Sequence, residues 1–185
     1  HNMRYLFILL LTSLSFQSLS QIPLDENGAA NFSDVIELSE STQEALFKRA
    51  KLWLVSTLKS GDSMVELNEK GLDQLVGTGN IYLDEIELGG RVLTQNKLNF
   101  KFIIYCKEGR YKYEVNNFTF HYTLRMGNIT EVGTTNLEEL TPHRYLFKQK
   151  HIDEYKKSVT EQTITRISEL IESLKNTMAT NQGDW

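Results

Sequence analysis

Between Asn96 and Leu124 apolar and polar positions alternate with the period of a strand. Leu98, Phe100, Phe102, Ile104 and Cys106 fall on one face, and Lys107-Glu108-Gly109-Arg110 reads as a tight turn with Gly109 free to take a positive φ. On the return, Tyr111, Tyr113 and Val115 share a face, and then Phe118, Phe120 and Tyr122 do. The parity switches at Asn116-Asn117. One extra residue there, a β-bulge, restores a single apolar face. The expected pairs are Cys106 with Tyr111, Ile104 with Tyr113, Phe102 with Val115, Phe100 with Phe118 and Leu98 with Phe120. A slip of one residue would turn these aromatics to solvent, so the register is well specified.

Two stretches change to helical spacing. Ser41-Thr42-Gln43-Glu44 reads as a capping box that opens a helix, with Leu46, Phe47, Ala50, Trp53, Leu54 and Leu58 on its inner face and Gly61-Asp62 at its end. From Ile152 a longer stripe runs through Tyr155, Val159, Ile164, Ile167, Leu170, Ile171, Leu174 and Met178, with a frayed tail from Ala179. Phe32–Leu38 reads as a first strand after a polar leader, Met64–Leu67 as a short strand and Asn68–Gly71 as a turn. Leu72–Leu83 reads as a strand with a kink or bulge at Gly77-Thr78-Gly79, and residues 84–95, with Gly89-Gly90, as a turn or small hairpin. Arg125–Lys150 shows no sustained period and reads as a loop. The resulting order is β-α-β-β-β-β-α. It predicts an α+β two-layer domain, an antiparallel sheet with both helices on one face.

The start of the chain speaks to its destination. Met3-Arg4, the apolar run Tyr5–Leu11 and the small and polar residues Thr12–Ser20 have the layout of a secretory signal peptide, with Ser18 and Ser20 at the −3 and −1 positions. His1-Asn2 read as a tag remnant, and residues 21–185 as one domain. A spanning helix needs roughly 20 apolar residues. The run is shorter, so no transmembrane span is expected after cleavage, and no cysteine follows for lipid attachment. Cys106 is the only cysteine, so an internal disulfide is excluded. Asp and Glu number 24 against 20 Lys and Arg, a net charge of −4. An acidic chain is a poor nucleic-acid ligand, because that affinity rests on counterion release by Lys and Arg.

Ile22-Pro23-Leu24-Asp25-Glu26-Asn27-Gly28, the Ala45–Leu58 helix with Trp53, Gly77-Thr78-Gly79, and the Lys107–Arg110 turn flanked by Tyr111-x-Tyr113 and Asn117-Phe118-Thr119 carry a likeness. Over Ile22–Leu124 the chain resembles the exported Bacteroidetes domain-of-unknown-function family described as having a TATA-box-binding-protein-like fold. The resemblance implies that TBP-like fold, export to the periplasm or cell envelope of a Gram-negative bacterium, and no assigned activity. The fold name describes topology and does not imply DNA binding.

Candidate chemistry is sparse. Gly77-Thr78-Gly79 lacks the Gly-Lys-Ser/Thr ending and the following helix of a phosphate loop. His121, His143 and His151 have no helical zinc spacing and Cys106 has no ligand neighbour, so neither metal nor cofactor is expected. No nucleophile elbow is present, Cys106 sits on the apolar face, and Glu138-Glu139 point apart. His143, Arg144, Lys148, Lys150, His151, Lys156 and Lys157 form a modest basic cluster that could meet an anionic partner such as lipid headgroups or an acidic glycan; diluted by Asp153 and Glu154, it reads first as a solvated face.

The most informative surface is the sheet face opposite the core, expected to carry Lys101, Ile103, Tyr105, Thr119, His121 and Thr123. The plainer expectation is that the 125–150 segment or a second copy of the chain covers it. Left open, it would bind a partner. The resulting reading is an exported, non-catalytic module that binds an envelope protein or a glycan, not an enzyme. The alternative is a secreted hydrolase with its site in residues 125–151, near His143 and His151. A structural subunit in a homo-oligomer is a third.

Overall fold

The computed structural model describes residues 21–58, 73–88, 91–126, 128–140 and 148–180. The expected signal peptide, the strand at 64–67, the turn at 68–71, His143, Arg144 and the end of the tail lie outside the described residues. The order is β1 (Phe32–Glu37), α1 (Gln43–Leu58), β2 (Gln74–Tyr82), β3 (Ile86–Leu88), β4 (Arg91–Lys107), β5 (Arg110–Met126), β6 (Ile129–Asn136), a 3-10 turn (Leu137–Glu139) and α2 (Gln149–Ala179). The described strands join one antiparallel sheet of six, in the order β1-β5-β4-β2, with β3 added on β4 and β6 on β5.

The long β4–β5 hairpin is the axis of the molecule, and its register is the expected one. Cys106 faces Tyr111, Ile104 faces Tyr113, Phe102 faces Val115, and Leu98 faces Phe120. The register shifts between Asn99 and Lys101, where Asn117 takes φ 55°, a left-handed conformation that asparagine tolerates. Phe100 and Phe118 then meet with ring centroids 6.2 Å apart. A second irregularity sits at Gln95 (φ 54°), between Thr94 and Lys97. The hairpin therefore has two tiers. Near its turn it pairs with β1 and β2, and at its open end with β3 and β6.

Both helices cover one face. Leu46, Phe47, Ala50, Trp53, Leu54 and Leu58 are buried as the spacing predicts. Trp53 meets Phe102 edge-on at 4.8 Å and donates from Nε1 to Ser173 Oγ of α2 at 3.1 Å. Arg49 ties the same two helices by donating to the Met178 carbonyl at 2.8 Å.

The cap of α1 sits one residue later than the capping box implied. Thr42 Oγ1 accepts from the Ala45 amide at 3.2 Å, while Ser41 Oγ accepts from Arg49. Glu44 pairs with Lys48 at 2.9 Å, and the Gln43 amide is satisfied by Glu108 from the hairpin turn at 2.9 Å. A tertiary carboxylate replaces the local one at the helix N-terminus, where the dipole favours negative charge.

Three other expectations are corrected. β2 runs through Gly77 and Gly79 with unbroken register, so neither kinks it. They are glycines because α1 lies against them: a Cβ at Gly77 would stand 2.7 Å from Leu58 Cδ1 and 3.0 Å from Leu54 Cδ2. Gly77→Val is accordingly expected to cost about 1–3 kcal/mol by overpacking, read as a lowered thermal midpoint; an unchanged midpoint would show that α1 is free to lift. The 125–150 stretch is not a loop throughout, since it holds β6 and the 3-10 turn. Finally, α2 starts at Gln149, and Thr163 occupies the buried position of its stripe while Ile164 is only partly buried.

Candidate functional site

The bulge at Asn116-Asn117 decides what the second sheet face carries. Before it, even-numbered residues of β5 point away from the helices; after it, odd-numbered ones do. Lys101, Ile103 and Tyr105 of β4 and Thr119, His121 and Thr123 of β5 therefore share the face opposite the core, as expected. Among the described residues no helix packs on it. Five of the six are half-buried. Thr123 is buried, with its hydroxyl donating to Gln95 Oε1 at 3.3 Å, so it buttresses the second irregularity and offers little surface.

Two shallow clefts mark this face. One, of about 430 Å³, lies near the hairpin turn and is lined by Val35, Tyr105, Lys107, Arg110, Lys112 and Glu114. Lys112 pairs with Glu114 at 2.6 Å, and its ammonium lies 5.8 Å from the centre of the Tyr105 ring. The hydrogen bond and charge of Glu114 hold that ammonium above its ordinary pKa. The other, of about 510 Å³, lies between β2 and β6 and is lined by Tyr82, Lys97, Asn99, His121 and Val132 among others. His121 is fixed across three strands: Nε2 stands 3.0 Å from Asn99 Nδ2 of β4, and Nδ1 stands 2.9 Å from Thr134 Oγ1 of β6. With Asn99 Nδ2 as donor, the imidazole carries its proton on Nδ1 and donates to Thr134, an assignment that follows from the hydrogen-bond network.

Sequence reasoning missed Asn99, Lys97, Tyr82, Val132 and Thr134. Asn99 and Lys97 lie in the same outward alternation as Lys101. Tyr82 needed the unbroken register of β2, and Val132 and Thr134 needed β6.

The remaining candidates are spent on structure. Glu138 Oε1 accepts from the Ala30 amide at 2.6 Å and so clamps the 3-10 turn to the entry of β1. His151 faces Glu154 of its own helix at 3.5 Å, and Lys150 and Lys157 make exposed pairs with Glu154 and Glu161, each at 3.8 Å. Exposed pairs of this kind are worth little. The Cys106 thiol is buried, and desolvation pushes its pKa up to about 12. It is protonated at neutral pH and a poor nucleophile. Among the described residues no three His, Cys, Asp or Glu side chains stand together as metal ligands, and no helix is long and apolar enough to cross a membrane.

An antiparallel sheet backed by two helices on one face, within an α+β chain, is the architecture of the TBP-like fold. Residues 32–121, from β1 to the middle of β5, match the family described as a domain of unknown function (DUF4468) with TBP-like fold, the family that the sequence resembles. Two crystal structures share the fold. A TBP-like protein from Parabacteroides distasonis superposes with a TM-score of 0.67 at 15% identity, over 87% of this chain and 99% of that one. A DUF4468 family protein from Bacteroides ovatus does so with a TM-score of 0.60 at 14% identity, over 89% and 94%. No curated protein matches the chain.

Proposed function

We propose that residues 21–185 act, after export to the cell envelope, as a non-catalytic module that binds an envelope protein or glycan on the sheet face that no described helix covers. The observation that carries this reading is the one-sided layering. Both helices lie on one face of the sheet, and the other presents half-buried Ile103 and Tyr105 and two clefts. The N-terminal run supports export; the Glu138 hydrogen bond to the Ala30 amide, the contact of His151 with Glu154 and the protonated, buried Cys106 thiol support a role without catalysis.

Two measurements test it. The full chain made in a Gram-negative host is expected to yield a periplasmic product beginning at Gln21. Residues 21–185 are expected to capture an envelope component that an Ile103→Asp, Tyr105→Ser variant loses, with the variant's circular dichroism matching the parent's. A cytoplasmic, unprocessed product would overturn export, and equal capture by parent and variant would overturn the face.

A further inference from the structure

We infer that the ligand of the uncovered face is an acidic glycan, a polymer of the uronic-acid type whose carboxylates and hydroxyls are read together. This rests on the binding role proposed above and names the ligand class.

Charge is the first support. By strand register the face carries Lys97, Lys101, Lys107, Arg110, Lys112 and Arg125, against the carboxylates of Glu37, Glu87 and Glu114 only. The chain as a whole has net charge −4, so its acid excess lies away from this face. Glu114 is taken by Lys112, and Glu37 meets Arg110 only at 3.9 Å between side chains more than half exposed. Lys101, Lys107 and Arg125 have no carboxylate at ion-pair distance among the described residues. A cationic strip on an acidic protein draws an anionic ligand to this face, while the acid excess elsewhere on the protein repels the same ligand.

The second support is what lies between the charges. The Asn99–His121–Thr134 run crosses β4, β5 and β6 at 3.0 and 2.9 Å, and it leaves Asn99 Oδ1 and the Thr134 hydroxyl proton for a ligand. These groups are held in place before any ligand arrives, which lowers the ordering cost of binding. Tyr82 stands at the rim of the same cleft, 60% exposed, and offers an aromatic plane to the apolar side of a sugar ring. Protein interfaces concentrate aromatic residues, Met and Arg at their centre and deplete Lys. Here Lys101 lies mid-strand between Thr78 and Asn116, and the next outward step, Val76, Ile103 and Glu114, again sets a carboxylate and apolar side chains side by side rather than an aromatic or Arg centre. That distribution favours a hydroxylated polyanion over an acidic protein.

The test measures binding of residues 21–185 to polygalacturonate, alginate and hyaluronan, beside methyl-esterified polygalacturonate, poly-glutamate and a single-stranded DNA. At least one uronate polymer is expected to bind. Lys101→Glu is expected to weaken that binding about tenfold through the reversed charge. Asn99→Ala with Thr134→Ala should weaken the uronate polymer and leave poly-glutamate unchanged, with melting curves confirming that each variant folds. Poly-glutamate or DNA bound as tightly, with no effect of the Asn99 and Thr134 changes, would reduce the face to an unselective cation surface and overturn the inference. No binding to any of the three uronates would overturn it too. Capture of an envelope protein that the Ile103→Asp, Tyr105→Ser variant loses would then leave the binding role standing. Progressive shortening of a bound polymer would overturn the non-catalytic reading and leave the glycan in place.

Discussion

Trp53→Ala is expected to destabilise the domain by about 3–5 kcal/mol, the cost of emptying a large aromatic site in a packed core. Trp53 is 2% exposed and is the largest fully buried side chain among the described residues. It joins three elements at once: its own helix α1, Phe102 of β4 at 4.8 Å, and Ser173 of α2 through its indole N–H at 3.1 Å. The substitution leaves a cavity on the helix–sheet seam and orphans the Ser173 hydroxyl as a partner. Urea unfolding followed by circular dichroism would read the loss as a lower midpoint at unchanged slope. Trp53→Phe should recover a good part of it, because the edge contact with Phe102 survives. A loss below about 1 kcal/mol for the alanine variant, the size of an ordinary substitution, would show that the seam is held elsewhere.

Alkaline pH is expected to unfold the protein well before backbone chemistry intervenes. Four acids are buried in their neutral forms. Desolvation pushes Cys106 from 9.0 up to about 12, and burial followed by the charges of Asp34 and Glu172 pushes Tyr113 from 10.0 up to about 12. Tyr111 and Tyr155 are raised further, again chiefly by burial. Below the unfolded-state values both states hold these protons, and the stabilisation is fully present. As pH climbs from 9.0 through 10.0, the unfolded chain releases protons that the folded chain retains, so stability falls. Each group contributes up to about 1.4 kcal/mol per pH unit in that window. The midpoint of urea unfolding should therefore drop steeply between pH 9 and 12, and Tyr111→Phe should flatten the slope. A midpoint independent of pH up to 11 would contradict the neutral, buried state of these side chains.

The parts of the fold legible in the sequence are those whose cause is local. The β4–β5 hairpin shows as alternation, and its bulge shows as a parity switch at two asparagines, one of which takes the left-handed conformation. The inner faces of α1 and α2 follow from spacing. What stayed hidden depends on partners far away in the chain. The α1 cap reads one residue early because the carboxylate that completes it is Glu108 of the hairpin, not Glu44. Gly77 and Gly79 look like a break and are a berth for Leu54 and Leu58. β6 gives no strand signal because its inward positions are Glu131, Gly133 and Thr135. Gly133 is where the Tyr122 ring lies, so the strand contributes an absence of side chain to the core. The open face was half legible for the same reason: β4 and β5 carried their six residues in pattern, while the β2 and β6 flanks of the second cleft did not.

The pairing of β1 imposes a schedule on the nascent protein. Its partners run from Glu37↔Arg110 to Phe32↔Val115, so they lie 73–83 positions downstream. A chain that emerges N-terminus first, from a ribosome or through a membrane pore, must carry β1 unmatched until β5 follows. At the ribosome's 5–20 residues per second that interval is roughly 4–17 s. The hairpin, by contrast, closes across two residues as soon as it is out. β1 thus waits longer for its partner than any other described strand, and the domain stays threadable for as long as that strand is kept waiting.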